Sequence, residues 1–352
     1  MPSGRPEAAA QSGSSSSDQK LEEGLSQFLG KVLDQLSISA WMPAAMLVGN
    51  VSILVQLHSQ KNINIASALT SLTDRPLGLI IILLFSVVLA TIVTQAFQYE
   101  FIRILEGYWG SGRTRSAIAG WRVRHHVKKK HSLDAARQMQ FVAAYKKARD
   151  RMIQTVTRLE DIGDLQLILT SQLTDTEKVR TIKRAPAAVL WSKHCPAENL
   201  RRIEALELRI KLYPKQSRIL PTRLGNTIRS SEDGIRGLGG GSLQGFIMRN
   251  QSSISTNLMV QHDQFRNRLD MYGSLVLAFL FLAVFGSMQL ASNPTRFLSH
   301  SLGAILLYVI LAAVSYEAAV TSAKGYGLVL LEIDSQLKRG KDIAVKEELE
   351  EM

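Results

Sequence analysis

The chain has 352 residues, 46% of them hydrophobic, and a formal net charge of +12 at pH 7. The apolar residues concentrate in four blocks, and Lys and Arg concentrate between the second and third blocks, which excludes an evenly basic soluble protein. Cys195 is the only cysteine in the sequence, so no intrachain disulfide can form.

The N-terminal 37 residues divide into two parts. Residues 1–19 are small and polar without an apolar run, so we expect them to be disordered and not to form a cleaved signal peptide. Residues 20–37 place apolar side chains on one helical face and more acidic than basic residues on the other. This pattern predicts an amphipathic helix that either lies on the membrane surface or packs on the cytoplasmic domain.

Four segments are long and apolar enough to cross a bilayer as helices. About 20 mostly apolar residues cross the ~30 Å hydrocarbon core, and four segments meet this length: 38–57, 76–97, 272–291 and 301–323. The segment 76–97 carries no charge, whereas 38–57 contains Pro43. The four runs predict an all-α membrane protein, with two pairs of transmembrane helices separated by a mainly helical cytoplasmic domain.

The distribution of Lys and Arg predicts the orientation of these spans. Segment 98–271 contains 31 Lys and Arg against 16 Asp and Glu, whereas loops 58–75 and 292–300 together contain three basic residues. Because basic residues accumulate on the cytoplasmic side, segment 98–271 is predicted to be a basic cytoplasmic α domain. Both termini are then cytoplasmic, including a tail helix over residues 324–352.

A cationic run follows the second predicted span. Seven Lys and Arg lie between Arg113 and Lys130, and no acidic residue occurs from Gly107 to Leu133. Such a run beside a membrane helix favours contact with anionic head groups or a topology signal; a solvated helix face and a nucleic-acid contact are the alternatives. The candidate contact residues in the run are Arg122, Arg124, Lys128, Lys129 and Lys130.

A second candidate site lies in the sequence "YPKQSRILPTRLGNTIRSSED", residues 213–233. Tyr213-Pro214 is predicted to end one helix, and Pro221 to open the next. Arg223, Asn226 and Arg229 would then share a face near a helix N-terminus, which suits a phosphate or lipid head group. The alternative is a turn between two cytoplasmic helices in which Arg223 pairs internally.

Glu317 is a candidate polar site inside the fourth predicted span. A carboxylate within a membrane span is costly and often functional, so it indicates either an ion or proton path or a helix–helix hydrogen bond. Ser315, Ala319 and Ala323 recur at every fourth position near it, which permits close helix packing.

The sequence contains no recognisable catalytic, cofactor or metal site. The glycines of 237–245 do not form a phosphate-binding Gly-x-x-x-x-Gly-Lys-Ser/Thr motif and indicate a flexible linker. Three histidines near Asp134 lie within the cationic run, where like charges oppose a bound dication. His194 and Cys195 are adjacent, which rarely orients a nucleophile and base. We therefore predict no enzyme activity and no cofactor.

Four segments carry a resemblance to a known family: 36–48 (LSISAWMPAAMLV), 94–110 (TQAFQYEFIRILEGYWG), 213–233 and 262–276 (HDQFRNRLDMYGSLV). They resemble a family of uncharacterised bacterial membrane proteins, common among actinobacteria, and Pro-Thr-Arg-Leu-Gly-Asn at 221–226 is the most specific match. The resemblance implies four spans, a cytoplasmic middle and a bacterial plasma-membrane location, but no activity.

These observations favour a non-enzymatic scaffold or partner-binding module in the bacterial plasma membrane. The alternative is an oligomeric ion channel or transporter with Glu317 near its path. The expected partners are the membrane, anionic lipids, a protein of unspecified identity and further copies of the chain, whereas nucleic acid is disfavoured.

Overall fold

A computed structural model of the protein describes residues 38–59, 77–154, 177, 188–235, 242–291 and 302–350. Within these ranges the chain is helical and contains no strand, which confirms the predicted all-α class. The predicted disordered segment 1–19 and amphipathic helix 20–37 lie outside the described residues.

The described helices have the following bounds. In chain order they are α1 (Ile38–Ser59), α2 (Leu77–Glu106), α3 (Arg113–Gln154), α4 (Ala188–His194), α5 (Ala197–Ile210), α6 (Arg223–Gly234), α7 (Leu243–Asn250), α8 (Thr256–Ala291) and α9 (Leu302–Glu350), with short 3₁₀ turns at Gln216–Arg218 and Gln251–Ser253.

Three of these helices contain stretches long and apolar enough to cross a membrane. The stretches are Ile82–Glu106 in α2, Thr256–Gln289 in α8 and Leu302–Gly340 in α9. They overlap the predicted spans 76–97, 272–291 and 301–323. The apolar part of α1, Trp41–Leu57, is shorter, so the first predicted span is not confirmed.

The chain divides into two compact units. The span unit comprises Met1–Ile102 and Asn267–Ala319, and the basic unit comprises Arg103–Arg266 and Val320–Met352. In the span unit α1, α8 and α9 share a hydrophobic core: Leu54, Leu275, Phe279, Leu282, Ala283, Tyr308 and Ala312. The Tyr308 hydroxyl donates a 3.0 Å hydrogen bond to Asn50 Oδ1, so the polar amide of α1 has a partner inside this apolar core.

One core of the basic unit joins α3 to α4 and α5. Ala144 and Ala148 are fully buried one turn apart on α3, and their small size lets the neighbouring helices approach closely. Trp191 packs edge-on against Phe141, with 5.1 Å between the ring centroids. Cys195 is buried in the same core, where burial raises the pKa of its thiol; it therefore acts as a packing residue.

A second core of the basic unit joins the C-terminal half of α9 to α7 and the end of α6. Its buried members are Ile235, Phe246, Ile247, Ile254, Tyr326, Val329, Leu330 and Ile333. Buried His262 also contacts this part of α9, with 3.1 Å between its Nε2 and the Tyr326 hydroxyl. The continuation of α9 beyond Ala319 is thus a structural member of the basic unit.

The Pro-Thr-Arg-Leu-Gly-Asn sequence packs on the end of α2. Gly107, at φ +105°, ends α2 in a Schellman motif, in which Tyr108 N donates to Arg103 O at 2.9 Å. The Thr222 hydroxyl donates to the free Glu106 carbonyl at 2.7 Å. A Cβ on Gly225 would lie 1.9 Å from that same oxygen, so only glycine fits there. We call this contact the Glu106 junction.

Gly225→Ala is expected to disrupt the Glu106 junction. The added methyl meets a backbone oxygen that cannot rotate away, so we expect the unfolding free energy to fall by about 3 kcal/mol or more. Thermal unfolding of the purified full chain in detergent measures the change. Gly120→Ala in α3 is the matched control, because its Cβ would have an ordinary 3.6 Å contact with Arg124. Equal midpoints for wild type and Gly225→Ala would contradict the prediction.

Candidate functional site

A cavity of about 430 Å³ lies in the basic unit between α3, α5, α6 and α9. Four cationic side chains line it: Lys129, Arg209, Arg223 and Lys324. No carboxylate occurs among the described residues that line the cavity. Each of the four helices supplies one cation, so residues far apart in sequence form a single positive surface, which we call the basic cavity.

The position of Lys129 follows from how α3 packs on the turn after α5. His126 is 3% exposed, and its Nδ1 lies 3.3 Å from the Tyr213 hydroxyl. Lys130 Nζ donates to the Pro214 carbonyl at 2.7 Å. These two contacts hold the middle of α3 against Tyr213-Pro214, and Lys129 between them lines the basic cavity. The Lys130 ammonium is used in the hydrogen bond to this turn.

The N-terminal turn of α6 supplies a second wall. Thr222 caps the helix by accepting a 3.1 Å hydrogen bond from Gly225 N. This cap and the Glu106 junction fix the first helical residue, Arg223, which is exposed and lines the cavity.

Asn226 borders the cavity but holds the backbone. Its side chain is 1% exposed. The Nδ2 group donates to the Leu220 carbonyl at 2.9 Å, and Oδ1 accepts from the Leu220 amide at 2.7 Å. Because both polar atoms are used in the turn, Asn226 positions Arg223 and is not a direct ligand.

Arg229, the third candidate in this segment, does not line the cavity. Its guanidinium donates to the Tyr108 hydroxyl from Nε at 3.1 Å and from Nη2 at 2.6 Å, and its Cζ lies 5.6 Å from the centroid of the Tyr108 ring. Two turns of α6 after the Glu106 junction, Arg229 thus ties α6 to the residue that follows Gly107. This contact strengthens the junction.

The remaining members of the cationic run lie outside the cavity lining. Arg124 and Lys128 are exposed and Arg122 is half-buried on α3. Of the five residues predicted from the run, the structure brings only Lys129 to the cavity.

Arg209 and Lys324 are members of this site that the sequence alone did not identify. Arg209 lies in the last turn of α5, beside the apolar stripe of that helix. Lys324 directly follows the predicted span 301–323 and lines the cavity together with Val320. In the sequence, each of the two is only a basic residue at the end of an apolar helical segment. Such a position does not show which other helix the side chain will face in the fold.

Glu317 belongs to the span unit and is exposed on α9, whereas Ser315 and Ala319 are buried. The small residues therefore form the packed face of this helix, and the carboxylate lies on a different face.

The electrostatics keep two ring side chains of the cavity region uncharged. Burial, reinforced by the positive charges of Arg122 and Lys129, lowers the pKa of His126 to about 4. Burial raises the pKa of Tyr213 although Arg223 acts in the opposite direction. At neutral pH the positive charge of the site therefore comes from lysine and arginine alone.

The chemistry that this arrangement supports is anion binding. Arg and Lys donors around one cavity suit phosphate oxygens, which accept several charge-assisted hydrogen bonds. The described residues include no group of three His, Cys, Asp or Glu arranged to hold a metal ion.

Comparisons with known protein families, with curated proteins and with solved structures found no match.

His126 is expected to make stability fall on acidification. The unfolded chain takes up a proton near the ordinary histidine pKa of about 6.5, whereas the folded chain does so only near pH 4. Stability linked to this group is therefore present above about pH 6.5 and is lost as the pH falls towards 4. His126→Gln should reduce this slope in unfolding midpoints measured across a pH series.

Lys128→Gln, two residues further along α3 and exposed, is the control and should retain the wild-type slope. An unchanged slope in His126→Gln would show that the imidazole is not the group responsible.

Proposed function

We propose that the protein is a non-enzymatic membrane protein whose basic unit binds a phosphate-bearing anion in the basic cavity. The observation that carries this proposal is the convergence of Lys129, Arg209, Arg223 and Lys324 on one cavity without a lining carboxylate. In this reading the protein is a binding module for an anionic ligand, and the basic unit is the receptor.

The charge distribution supports an anionic ligand. Like charges around one cavity repel one another, and an anion placed between them offsets that repulsion. Hydrogen bonds to charged groups contribute about 1.5–3 kcal/mol each. Several of them give a phosphate group measurable affinity even after part of the attraction is screened by salt.

The other lining groups indicate what is attached to the phosphate. Thr227 Oγ1 donates to the Arg223 carbonyl at 3.0 Å, so this hydroxyl is used within α6. Leu133, Leu212 and Val320 add apolar surface to the cavity. A phosphate that carries an organic group therefore fits the lining better than a bare ion. A lipid head group and a soluble organic phosphate share this chemistry.

Neutralising the cavity tests the proposal. Inorganic pyrophosphate titrated into the detergent-solubilised full chain should bind, and Arg209→Gln should weaken binding by about tenfold, as loss of one charged hydrogen bond predicts. Isothermal titration calorimetry provides the measurement. Arg201→Gln, an exposed arginine on the same helix outside the cavity lining, is the matched control. No binding to wild type, or equal losses in both variants, would contradict the proposal.

A second arm distinguishes the two sources of phosphate. The same variants are compared in nanodiscs that contain phosphatidic acid and in zwitterionic nanodiscs with a soluble sugar phosphate. If Arg209→Gln weakens binding to phosphatidic acid and Arg201→Gln does not, the ligand is a lipid head group. If the same difference appears for the sugar phosphate, the ligand is a soluble organic phosphate.

We further propose a topology in the bacterial plasma membrane with the basic unit and both termini cytoplasmic. The excess of Lys and Arg in residues 98–271 supports this orientation. The fourth span would be α1, whose apolar part packs on α8 and α9 through Leu54 and the Asn50–Tyr308 hydrogen bond.

Reporter fusions test this topology. A fusion at Ser171 and one after Met352 should report a cytoplasmic location, and a fusion at Ile65 an external one, because an even number of spans separates the first two sites. At each site, a reporter that is active only outside the membrane and one that is active only in the cytoplasm are fused in turn, and the two serve as mutual controls. An external signal at Ser171 would overturn the topology, and a cytoplasmic signal at Ile65 would remove α1 as a span.

A further inference from the structure

The outer face of α3 exposes large apolar side chains among basic ones. Ile118 is 54% exposed and Trp121 is 60% exposed. Arg124, His125 and Lys128 are exposed on the same stretch of helix. Together these five residues form what we call the Trp121 face.

Helical geometry places this face opposite the packed side of α3. At 100° per residue, Trp121 and Lys128 lie about 20° apart, whereas buried His126 and the turn-binding Lys130 lie roughly 140–180° away from both. Exposed single apolar residues are ordinary on a protein surface. Ile118 and Trp121 are neighbours one turn apart, so they form a continuous apolar strip with a basic border.

The position of α3 in the chain limits where this strip can lie. The stretch of α2 that is long and apolar enough to cross a membrane ends at Glu106, and α3 begins at Arg113. The six connecting residues, Gly107–Gly112, reach at most about 21 Å when extended. The first turns of α3 are therefore within reach of the membrane surface at which α2 ends.

We propose that the Trp121 face docks on the head-group region of a membrane that contains anionic lipids. Tryptophan prefers the membrane–water boundary, and basic residues beside it are attracted to anionic head groups. The charge is complementary to this partner over the whole stretch, because no acidic residue occurs between Gly107 and Leu133.

This interaction is separate from the basic cavity. None of the five residues of the Trp121 face lines the cavity. Loss of docking therefore leaves pyrophosphate binding in place, and loss of the cavity site leaves docking in place, so the two proposals fail independently.

A spin label beside the strip tests the docking. Ala117 is exposed on α3 next to the Trp121 face, and Ala205 is exposed on α5 in the same unit. Each is changed to cysteine in the full chain, with Cys195 retained because its thiol is buried. Electron paramagnetic resonance then compares collision with oxygen and with a water-soluble nickel complex. The nanodiscs contain phosphatidylcholine alone or with phosphatidylglycerol.

We expect the label at position 117 to gain oxygen contact and lose nickel contact only when phosphatidylglycerol is present. The label at position 205 should be insensitive to the lipid. Arg124→Gln with Lys128→Gln should shift the docking equilibrium by about tenfold or more, since two basic contacts are removed. Trp121→Ser should abolish the gain in oxygen contact.

Three results would overturn the proposal. A label at position 117 that stays accessible to nickel in both lipids would leave the face to a soluble partner. Equal immersion in both lipids would exclude a role for charge. A response that Trp121→Ser leaves intact would exclude the apolar strip.

Discussion

The arrangement of the basic unit depends on one contact, the Glu106 junction. A helix leaves its last carbonyls without intrahelical partners, and here the Glu106 carbonyl accepts the Thr222 hydroxyl while the Gly225 Cα packs against it. Gly107 ends α2 with a positive φ and leaves space for the Pro221 ring, whose Cγ would be only 2.6 Å from a Cβ at position 107. Two glycines and one hydroxyl thus fix where α6 begins.

The basic cavity follows from this fixed start. Arg223 is the first residue of α6, and Asn226 keeps the preceding turn rigid through both atoms of its amide. Further along α6, Arg229 bonds Tyr108, and Arg218 pairs with Glu232 at 2.8 Å and with Asp233. The acidic residues of this segment are therefore neutralised by arginines outside the cavity lining. Lys129, Arg209, Arg223 and Lys324 line a common cavity, and the anion proposed above would offset their mutual repulsion.

Sequence patterns predicted the helical class and three of the apolar stretches, because both depend on local composition and period. They also predicted that Tyr213-Pro214 ends a helix, and α5 does end at Ile210 before that dipeptide. The next helix was predicted to open at Pro221, whereas α6 begins at Arg223 with Thr222 as its N-cap. The individual roles within the motif were not predictable. Asn226 and Arg229 appear on one helical face with Arg223, yet the structure uses Asn226 for Leu220 and Arg229 for Tyr108.

The sequence by itself determined the helices, the apolar stretches and the uneven distribution of charge, since each is a property of neighbouring residues. Only the tertiary structure decided which cations share a cavity. Lys129, Arg209, Arg223 and Lys324 span almost 200 positions and come from four helices. A helical period shows which face of a helix is polar but not which helix lies opposite. Long-range packing determines which helices face one another. Ala144 and Ala148 of α3 share a core with Trp191, and Gly225 packs against the carbonyl of Glu106.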